Sequence, residues 1–84
     1  MKWTVVWVDN SENELADIWL QAEDRNAITA ASHRIEQELQ HHADQKGEDF
    51  YGDRILQDGP LAVVYELRPD DLLVRIMQVM RIKG

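Results

Sequence analysis

Hydrophobic and polar positions repeat with two different periods along this chain, and the change of period predicts a strand, two helices and a second group of strands. Residues 2–8 are β-branched and aromatic, as is typical of a strand, and Trp3, Val5 and Trp7 share one face of it. The other face is also largely apolar. We therefore expect this strand to be covered on both sides or to lie inside a sheet.

Two amphipathic helices are predicted next. The sequence Ser11-Glu-Asn-Glu14 matches a capping box, so we expect the first helix to start at Ser11 and to run to about Ala22. Asp24 is a candidate N-cap for the second helix, and the short connection predicts an antiparallel hairpin. Each helix has an apolar stripe that predicts its buried side: Leu15, Ile18, Trp19 and Ala22 in the first, and Ile28, Ala31, Ile35 and Leu39 in the second.

Residues 41–52 lack apolar periodicity and are interpreted as a loop. Turn sequences at 58–60 and 68–71 then divide residues 54–82 into three predicted antiparallel strands. A tight turn at Pro69-Asp70 would pair the residues of a core face: Leu67 with Leu72, Tyr65 with Val74, and Val63 with Ile76. The opposite face would carry Ala62, Val64, Glu66, Leu73, Arg75, Met77, Val79 and Arg81. Arg54 has core-face parity, so we expect a bulge or a twist near Asp58-Gly59 to turn it to solvent.

These elements predict a single α+β domain over residues 1–84, in the order strand, two-helix hairpin and three-stranded antiparallel meander (β-α-α-β-β-β). A chain of 84 residues can build one hydrophobic core. It contains neither an apolar run of about 18 residues nor a basic start followed by an apolar segment, so no membrane span or secretion signal is predicted. The absence of cysteine excludes disulfides and thiolate metal sites. We expect a cytoplasmic protein.

The charge is concentrated in the first part of the chain. Residues 1–50 contain eleven acidic and four basic side chains, whereas residues 51–84 contain five of each. Nucleic-acid binding normally requires clustered positive charge, so any such site must be local to the C-terminal sheet. The acidic half is interpreted as solvated helix faces, and the alternative is a surface that attracts a basic partner segment.

Recognisable catalytic motifs are missing. The three histidines include no pair at positions i and i+4, so neither a metal nor another cofactor is expected. His41 and His42 are candidate acid–base groups because imidazole titrates near neutrality. Arg75 and Arg81 would lie about 20 Å apart on one strand face, so they could contact successive phosphates or acidic partner groups. The alternative for these arginines is an ordinary ion pair with Glu66 or another carboxylate.

The chain resembles the RelE/ParE toxin superfamily of bacterial type II toxin–antitoxin modules. The residues that carry the resemblance are Glu14-Leu-Ala-Asp-Ile-Trp19, Arg54-Ile-Leu, Pro60-Leu-Ala-Val-Val-Tyr-Glu-Leu67 and Leu73-Val-Arg-Ile-Met-Gln-Val79. The resemblance implies a small α/β domain that a cognate antitoxin wraps, with roles in growth inhibition and plasmid stabilisation. Some members of this superfamily cleave messenger RNA on the ribosome, and ParE-type members poison DNA gyrase.

The functional groups of the ribonuclease branch match this sequence only in part. Ala62 stands where that branch has a phosphate-binding arginine, and the C-terminal catalytic aromatic residue or histidine has no counterpart. Arg81 looks like the counterpart of a substrate-contacting basic residue, and Lys83 would assist it. Tyr65 matches a tyrosine position of the family, but its core-facing parity predicts packing.

Three hypotheses follow from these features. The first is a ribonuclease in which Arg54, Arg75, Arg81 and Lys83 bind phosphates and His41 or His42 acts as acid or base. The second is a ParE-like protein that inhibits gyrase through its surface. The third is a non-catalytic module that has lost toxin activity and binds a partner. The candidate partner surface is Val64, Glu66, Leu73, Met77 and Val79. An antitoxin is the expected partner, and the oligomeric state is not predicted.

Overall fold

The computed structural model describes residues 2–82, which form a five-stranded sheet with two helices packed on one face. The strands are β1 (Thr4–Trp7), β2 (Glu48–Phe50), β3 (Asp53–Asp58), β4 (Leu61–Arg68) and β5 (Leu73–Arg81), and the helices are α1 (Asp9–Gln21) and α2 (Arg25–His42). The strand order is β1-β5-β4-β3-β2, with β1 parallel to β5 and all other neighbours antiparallel. The predicted α+β class is confirmed.

The prediction of a loop over residues 41–52 is wrong at both ends. Helix α2 continues to His42, and Glu48–Phe50 forms β2, which pairs with β3. Tyr51 and Gly52 join these two strands with φ angles of 50° and 91°, the geometry of a tight two-residue hairpin. The C-terminal part is therefore a meander of four strands rather than three.

Strand β1 lies at the edge of the sheet, so the prediction that it is covered on both sides or lies inside the sheet is wrong. Its pairing with β5 places Val5 and Trp7 beside Val74 and Ile76, on the side of the helices. On the opposite face Val6 is 41% exposed. The second apolar face of this strand is open to solvent.

Helix α1 begins earlier than predicted and buries a different stripe. Its N-cap is Val8, and Ser11 lies inside the first turn, where its hydroxyl donates to the Val8 carbonyl at 2.9 Å. Ser11 is fully buried, while Trp19 is 39% exposed with the Arg25 guanidinium 4.6 Å from the centre of its ring. The predicted capping box and the predicted burial of Trp19 are therefore wrong. Leu15, Ile18 and Ala22 contact the core as predicted.

Helix α2 begins and packs as predicted. The Asp24 side chain accepts a hydrogen bond from the Ala27 amide at 3.0 Å, which caps the first turn. The predicted stripe is at most 2% exposed at each of its positions: Ile28, Ala31, Ile35 and Leu39. It packs against the side chains predicted for the core face of the sheet: Val63, Tyr65, Val74 and Ile76.

The register of β4 and β5 differs from the prediction by two residues. The partner of Tyr65 is Ile76, and the partner of Leu67 is Val74. The cause is the turn, because Pro69–Asp71 forms one turn of 3-10 helix and Leu72 adopts a left-handed φ of 48°. The connection therefore has four residues instead of two. A shift of two residues preserves side-chain parity, so the predicted core face is retained.

A β-bulge in β5 exchanges the two faces beyond Met77. Val64 pairs with Gln78 whereas Tyr65 pairs with Ile76, which makes Met77 the extra residue. Beyond it Val79 enters the core at 3% exposure, and Arg81 lies opposite buried Leu61. The prediction that Val79 and Arg81 share the face of Arg75 is wrong.

Candidate functional site

The sheet face turned away from the helices, which we call the open face, holds part of the predicted partner surface. Cross-strand pairing places these residues on it: Thr4, Val6, Ile55, Gln57, Ala62, Val64, Glu66, Arg68, Leu73, Arg75, Gln78 and Met80. Ala62 and Val64 are only 4% exposed, whereas Val6 and Met80 are 41% and 38% exposed. The contactable part of the open face therefore combines apolar side chains with exposed polar ones, among them Gln57 and Gln78, around one pair of charged residues.

That charged pair is Glu66 and Arg75, extended by Arg68. The Glu66 Oε1 atom accepts a hydrogen bond from Arg68 Nε at 2.9 Å and one from an Arg75 terminal nitrogen at 3.3 Å. The hydrogen bond from Arg68 is the main reason that the pKa of Glu66 lies below its ordinary value, and the charge of Arg75 adds to the effect. The alternative interpretation of Arg75, an ion pair with Glu66, matches this geometry.

The bulge separates the other predicted basic residues from Arg75. Arg81 is exposed at the end of β5 and shares the face of Leu61, so it lies on the opposite side of the sheet from Arg75. The predicted contact of both arginines with successive phosphates on one face therefore has no basis in the sheet geometry. Lys83 lies outside the described residues.

Arg54 packs on the side of the helices and binds the backbone. It pairs with Tyr65 across a regular β3–β4 ladder, so the bulge expected near Gly59 does not form. One terminal nitrogen of its guanidinium donates to the carbonyls of Asp44 and Lys46, at 3.4 and 3.1 Å. These contacts hold the segment between α2 and β2 against the sheet.

Tyr65 also holds the segment between α2 and β2 against the sheet. Its hydroxyl donates to the Lys46 carbonyl at 2.7 Å, and its side chain is fully buried. Burial raises the pKa of Tyr65, although the neighbouring Arg54 guanidinium opposes the shift. Core packing, as predicted from its parity, describes this tyrosine better than a position on an exposed catalytic surface.

The two candidate acid–base histidines lie away from the arginines of the open face. His41 and His42 are exposed in the last turn of α2, with ring centroids 6.2 Å apart. Neither belongs to the open face that carries Arg75. Within residues 2–82, no three histidine, aspartate or glutamate side chains come together as a potential metal site.

Of the predicted partner surface, Glu66, Leu73 and Met77 are partly exposed. Val64 is largely shielded and Val79 is a core residue, so neither offers much contact area. On the open face, Val6 and Met80 are exposed apolar residues that the predicted partner surface did not include. Val6 was assigned to a covered strand, and Met80 was not among the residues predicted for the partner surface because the bulge was not anticipated.

A second concave region lies between the helices. Helix α1, helix α2 and β1 enclose a groove of about 360 Å³ that is lined by Trp7, Glu12, Leu15, Ala16, Ser32, His33 and Glu36. The Trp7 indole is part of the lining, and its N–H donates to Glu36 Oε1 at 2.9 Å. The sequence pattern gave no signal for this groove, because Glu12 and Glu36 come from helices whose relative position is a tertiary feature.

No protein-family model matches the sequence, and no curated protein matches it. Three of the solved structures that share the fold are toxin–antitoxin proteins. A chain of the toxin–antitoxin complex RelBE2 from Mycobacterium tuberculosis superposes with a TM-score of 0.83 at 14% identity, covering 100% of this chain and 95% of that one. A chain of the chromosomal ParDE system from P. aeruginosa gives 0.67 at 18% identity, covering 98% of both chains.

A chain of the intact E. coli RelBE toxin–antitoxin complex gives a TM-score of 0.61 at 10% identity, covering 98% of this chain and 99% of that one. In each of the three comparisons the similarity covers at least 95% of this chain and of the solved chain. At these identities they describe backbone architecture rather than conserved side chains. The chain therefore has a RelE/ParE-type fold, as the sequence resemblance predicted.

Proposed function

We propose that this chain is the toxin-type subunit of a type II toxin–antitoxin pair and that a cognate antitoxin binds it. The observation that carries the proposal is the likeness of the whole fold, at a TM-score of 0.83, to a chain of a toxin–antitoxin complex. A domain of this size with exposed apolar residues on an open sheet face suits a protein that is covered by a partner.

We further propose that the chain acts by binding a protein rather than by cleaving messenger RNA. A ribonuclease needs phosphate-binding and proton-transferring groups around one substrate position. Here Arg75 is paired with Glu66, Arg54 is bonded to backbone carbonyls, and Arg81 lies on the other side of the sheet. The open face carries apolar and neutral polar side chains around its ion pairs, which suits a protein surface better than a polyanion.

Two protein-binding roles remain within this proposal. One is growth inhibition through DNA gyrase, as in ParE-type proteins, and the other is a partner-binding module without toxicity. A bacterial cytoplasm is the compartment that both roles require. Among residues 2–82, neither helix has the length and apolar content that crossing a membrane requires.

Expression in a bacterial host tests the proposal directly. We expect the chain alone to slow growth, and coexpression with the small reading frame next to its gene to restore growth and yield a co-purifying complex. Normal growth together with a co-purifying neighbour would favour the non-toxic module. Normal growth with no partner would contradict the proposal.

The mode of action is tested with purified protein. We expect ribosome-bound messenger RNA to remain intact at saturating protein, and a toxic chain to inhibit supercoiling by DNA gyrase. Ribosome-dependent cleavage that is lost in Arg75→Ala would overturn the choice of binding over cleavage. A Gln57→Ala variant provides the control, because Gln57 is an exposed β3 residue outside the ion pairs.

A further inference from the structure

The groove between the helices has the shape and lining of a receptor for a side chain. Leu15 and Ala16 of α1 and the indole of Trp7 supply apolar walls, while Ser32 and His33 of α2 supply polar ones. An opening of about 360 Å³ accommodates one long side chain but not a folded element. The lining therefore suits a ligand with an apolar stem and a polar head.

Two carboxylates give the groove its charge. Glu12 enters it from α1 and Glu36 from α2. Glu36 is oriented by the indole N–H of Trp7 at 2.9 Å, a neutral donor that leaves its negative charge uncompensated. Within residues 2–82 neither glutamate forms an ion pair.

The basic side chains of the two helices and the following turn are engaged elsewhere. Arg25 donates to the carbonyls of Trp19 and Leu20, and Arg34 is 2.9 Å from Asp58. Lys46, in the segment after α2, lies 3.9 Å from Glu38. These three basic side chains are therefore not the partners of Glu12 and Glu36, and a cation supplied by a bound partner would complement the groove.

We propose that the groove receives an arginine side chain from the partner polypeptide. Arginine fits better than lysine because its planar guanidinium has five donors that can reach two carboxylates at once, and because it stacks on aromatic rings such as the Trp7 indole. Its aliphatic stem would cover Leu15 and Ala16. The inference rests on the proposed function for the identity of the occupant, and it adds that the bound segment of the antitoxin is basic.

The charge of the whole chain points the same way. A net charge of −7, with the excess of acids in the half of the chain that contains both helices, favours association with a basic segment and disfavours nucleic acid at this groove. Arginine docking would also offset the charge of the two carboxylates that line the groove.

Nitrogen-15 NMR of the full chain tests the inference, with the Trp7 indole N–H as the reporter because it is bonded to Glu36 in the groove. The probe is Nα-acetyl-arginine methylamide, and its neutral isostere Nα-acetyl-citrulline methylamide is the control. We expect arginine to shift the Trp7 indole signal saturably while leaving the signal of exposed Trp19 unchanged. A lysine probe should bind more weakly, and citrulline should have no saturable effect.

Charge-matched variants distinguish a specific effect of the groove carboxylates on arginine binding from a general effect of the net charge of the protein. Glu12→Gln should weaken arginine binding roughly two- to fivefold, the range for a solvent-accessible ion pair. Glu36→Gln should act similarly and should also alter the resting Trp7 signal. Asp17→Asn removes the same charge from an exposed position of α1 that does not line the groove, so it should leave affinity unchanged.

Equal responses to the arginine and citrulline probes would overturn the inference, and so would equal weakening of arginine binding by Glu12→Gln and Asp17→Asn. A third contradicting result is a Trp7 shift that depends on protein concentration without any probe, because it would indicate that a second copy of the chain occupies the groove. Co-purification of the antitoxin is measured separately. A captured antitoxin without an arginine response contradicts the groove assignment alone, whereas an arginine response without any partner contradicts the proposed function.

Discussion

At the scale of single residues, Gly47 is placed where only glycine fits. Its φ is +80°, and a Cβ atom there would overlap the Tyr65 hydroxyl oxygen. We expect Gly47→Ala to lower the free energy of unfolding by about 2–3 kcal/mol, because alanine is strained at this φ and the bond from Tyr65 to the Lys46 carbonyl is displaced. Urea denaturation measures this loss.

Gly52→Ala is the matched control for this prediction. Gly52 also has a positive φ, +91°, but no atom lies within 4 Å of the added Cβ. Its cost should be limited to backbone strain, about 1–2 kcal/mol. Equal losses in the two variants would show that the overlap with Tyr65 contributes nothing.

The ion pairs of Glu66 predict a pH dependence. Its folded-state pKa is lowered, chiefly by the Arg68 hydrogen bond, so the stability it contributes is present above its ordinary value of 4.5 and is lost as the pH falls through the folded-state value. Wild type should therefore be more stable than Glu66→Gln near pH 7, and the difference should shrink below pH 4.5. Thermal unfolding at both pH values measures it. A difference that does not change with pH would contradict the assigned ion pairs.

At the scale of elements, α1 holds the bulge of β5. Asn10 donates to the Met77 carbonyl at 3.3 Å, and the Val79 amide donates to Glu14 Oε1 at 3.1 Å. That amide lies beyond the end of β1, whose ladder with β5 stops at Trp7 and Ile76. A helix side chain thus replaces the missing strand partner.

We expect Glu14→Ala to lower the free energy of unfolding by about 1–2 kcal/mol and to speed hydrogen exchange of the Val79 amide, because a hydrogen bond to a charged acceptor is lost. Glu14→Gln keeps an acceptor oxygen, so its free energy of unfolding and its Val79 exchange rate should lie between those of Glu14→Ala and wild type. Asp17→Ala, on the exposed side of α1, controls for charge and helix propensity. Unchanged exchange of the Val79 amide in Glu14→Ala would refute this role.

At the scale of the whole molecule, one core connects the helices with the sheet strands β1, β3, β4 and β5. The single domain over residues 1–84 stays a prediction, and it implies cooperative unfolding. We expect coincident transitions by far-ultraviolet circular dichroism and by tryptophan fluorescence, with a free energy of unfolding of roughly 5–10 kcal/mol. Separated transitions would indicate that the hairpin and the sheet unfold independently.

Much of the fold could be predicted because short-range periodicity reports burial. The stripe of α2, its Asp24 cap and the core face with Tyr65 and Val74 all follow from side-chain spacing within one element. The first helix was predicted less accurately. The spacing of Ser11 and Glu14 matches a capping box, but the same spacing also occurs inside a helix. In the structure Ser11 is a buried residue of the first turn of α1, and the N-cap is Val8.

The candidate site was harder to predict because each part depends on contacts between distant residues. One extra residue at Met77 separates Arg81 from Arg75, and the parity of the sequence contains no signal for it. Likewise, Arg54 was expected in solvent because an unpaired arginine avoids the core, whereas the carbonyls of the segment after α2 provide its partners.

The sequence by itself determined both helices and every strand except β2, together with the buried sides of α2 and of the β4–β5 hairpin as far as Ile76. These features follow from propensity and periodicity over a few residues. Only the tertiary structure decided that β1 is an edge, that the bulge divides the arginines, and that Glu12, Glu36 and Trp7 share a groove. The physical reason is that these features depend on loop length and on the packing of residues far apart in the chain, which local pattern does not encode.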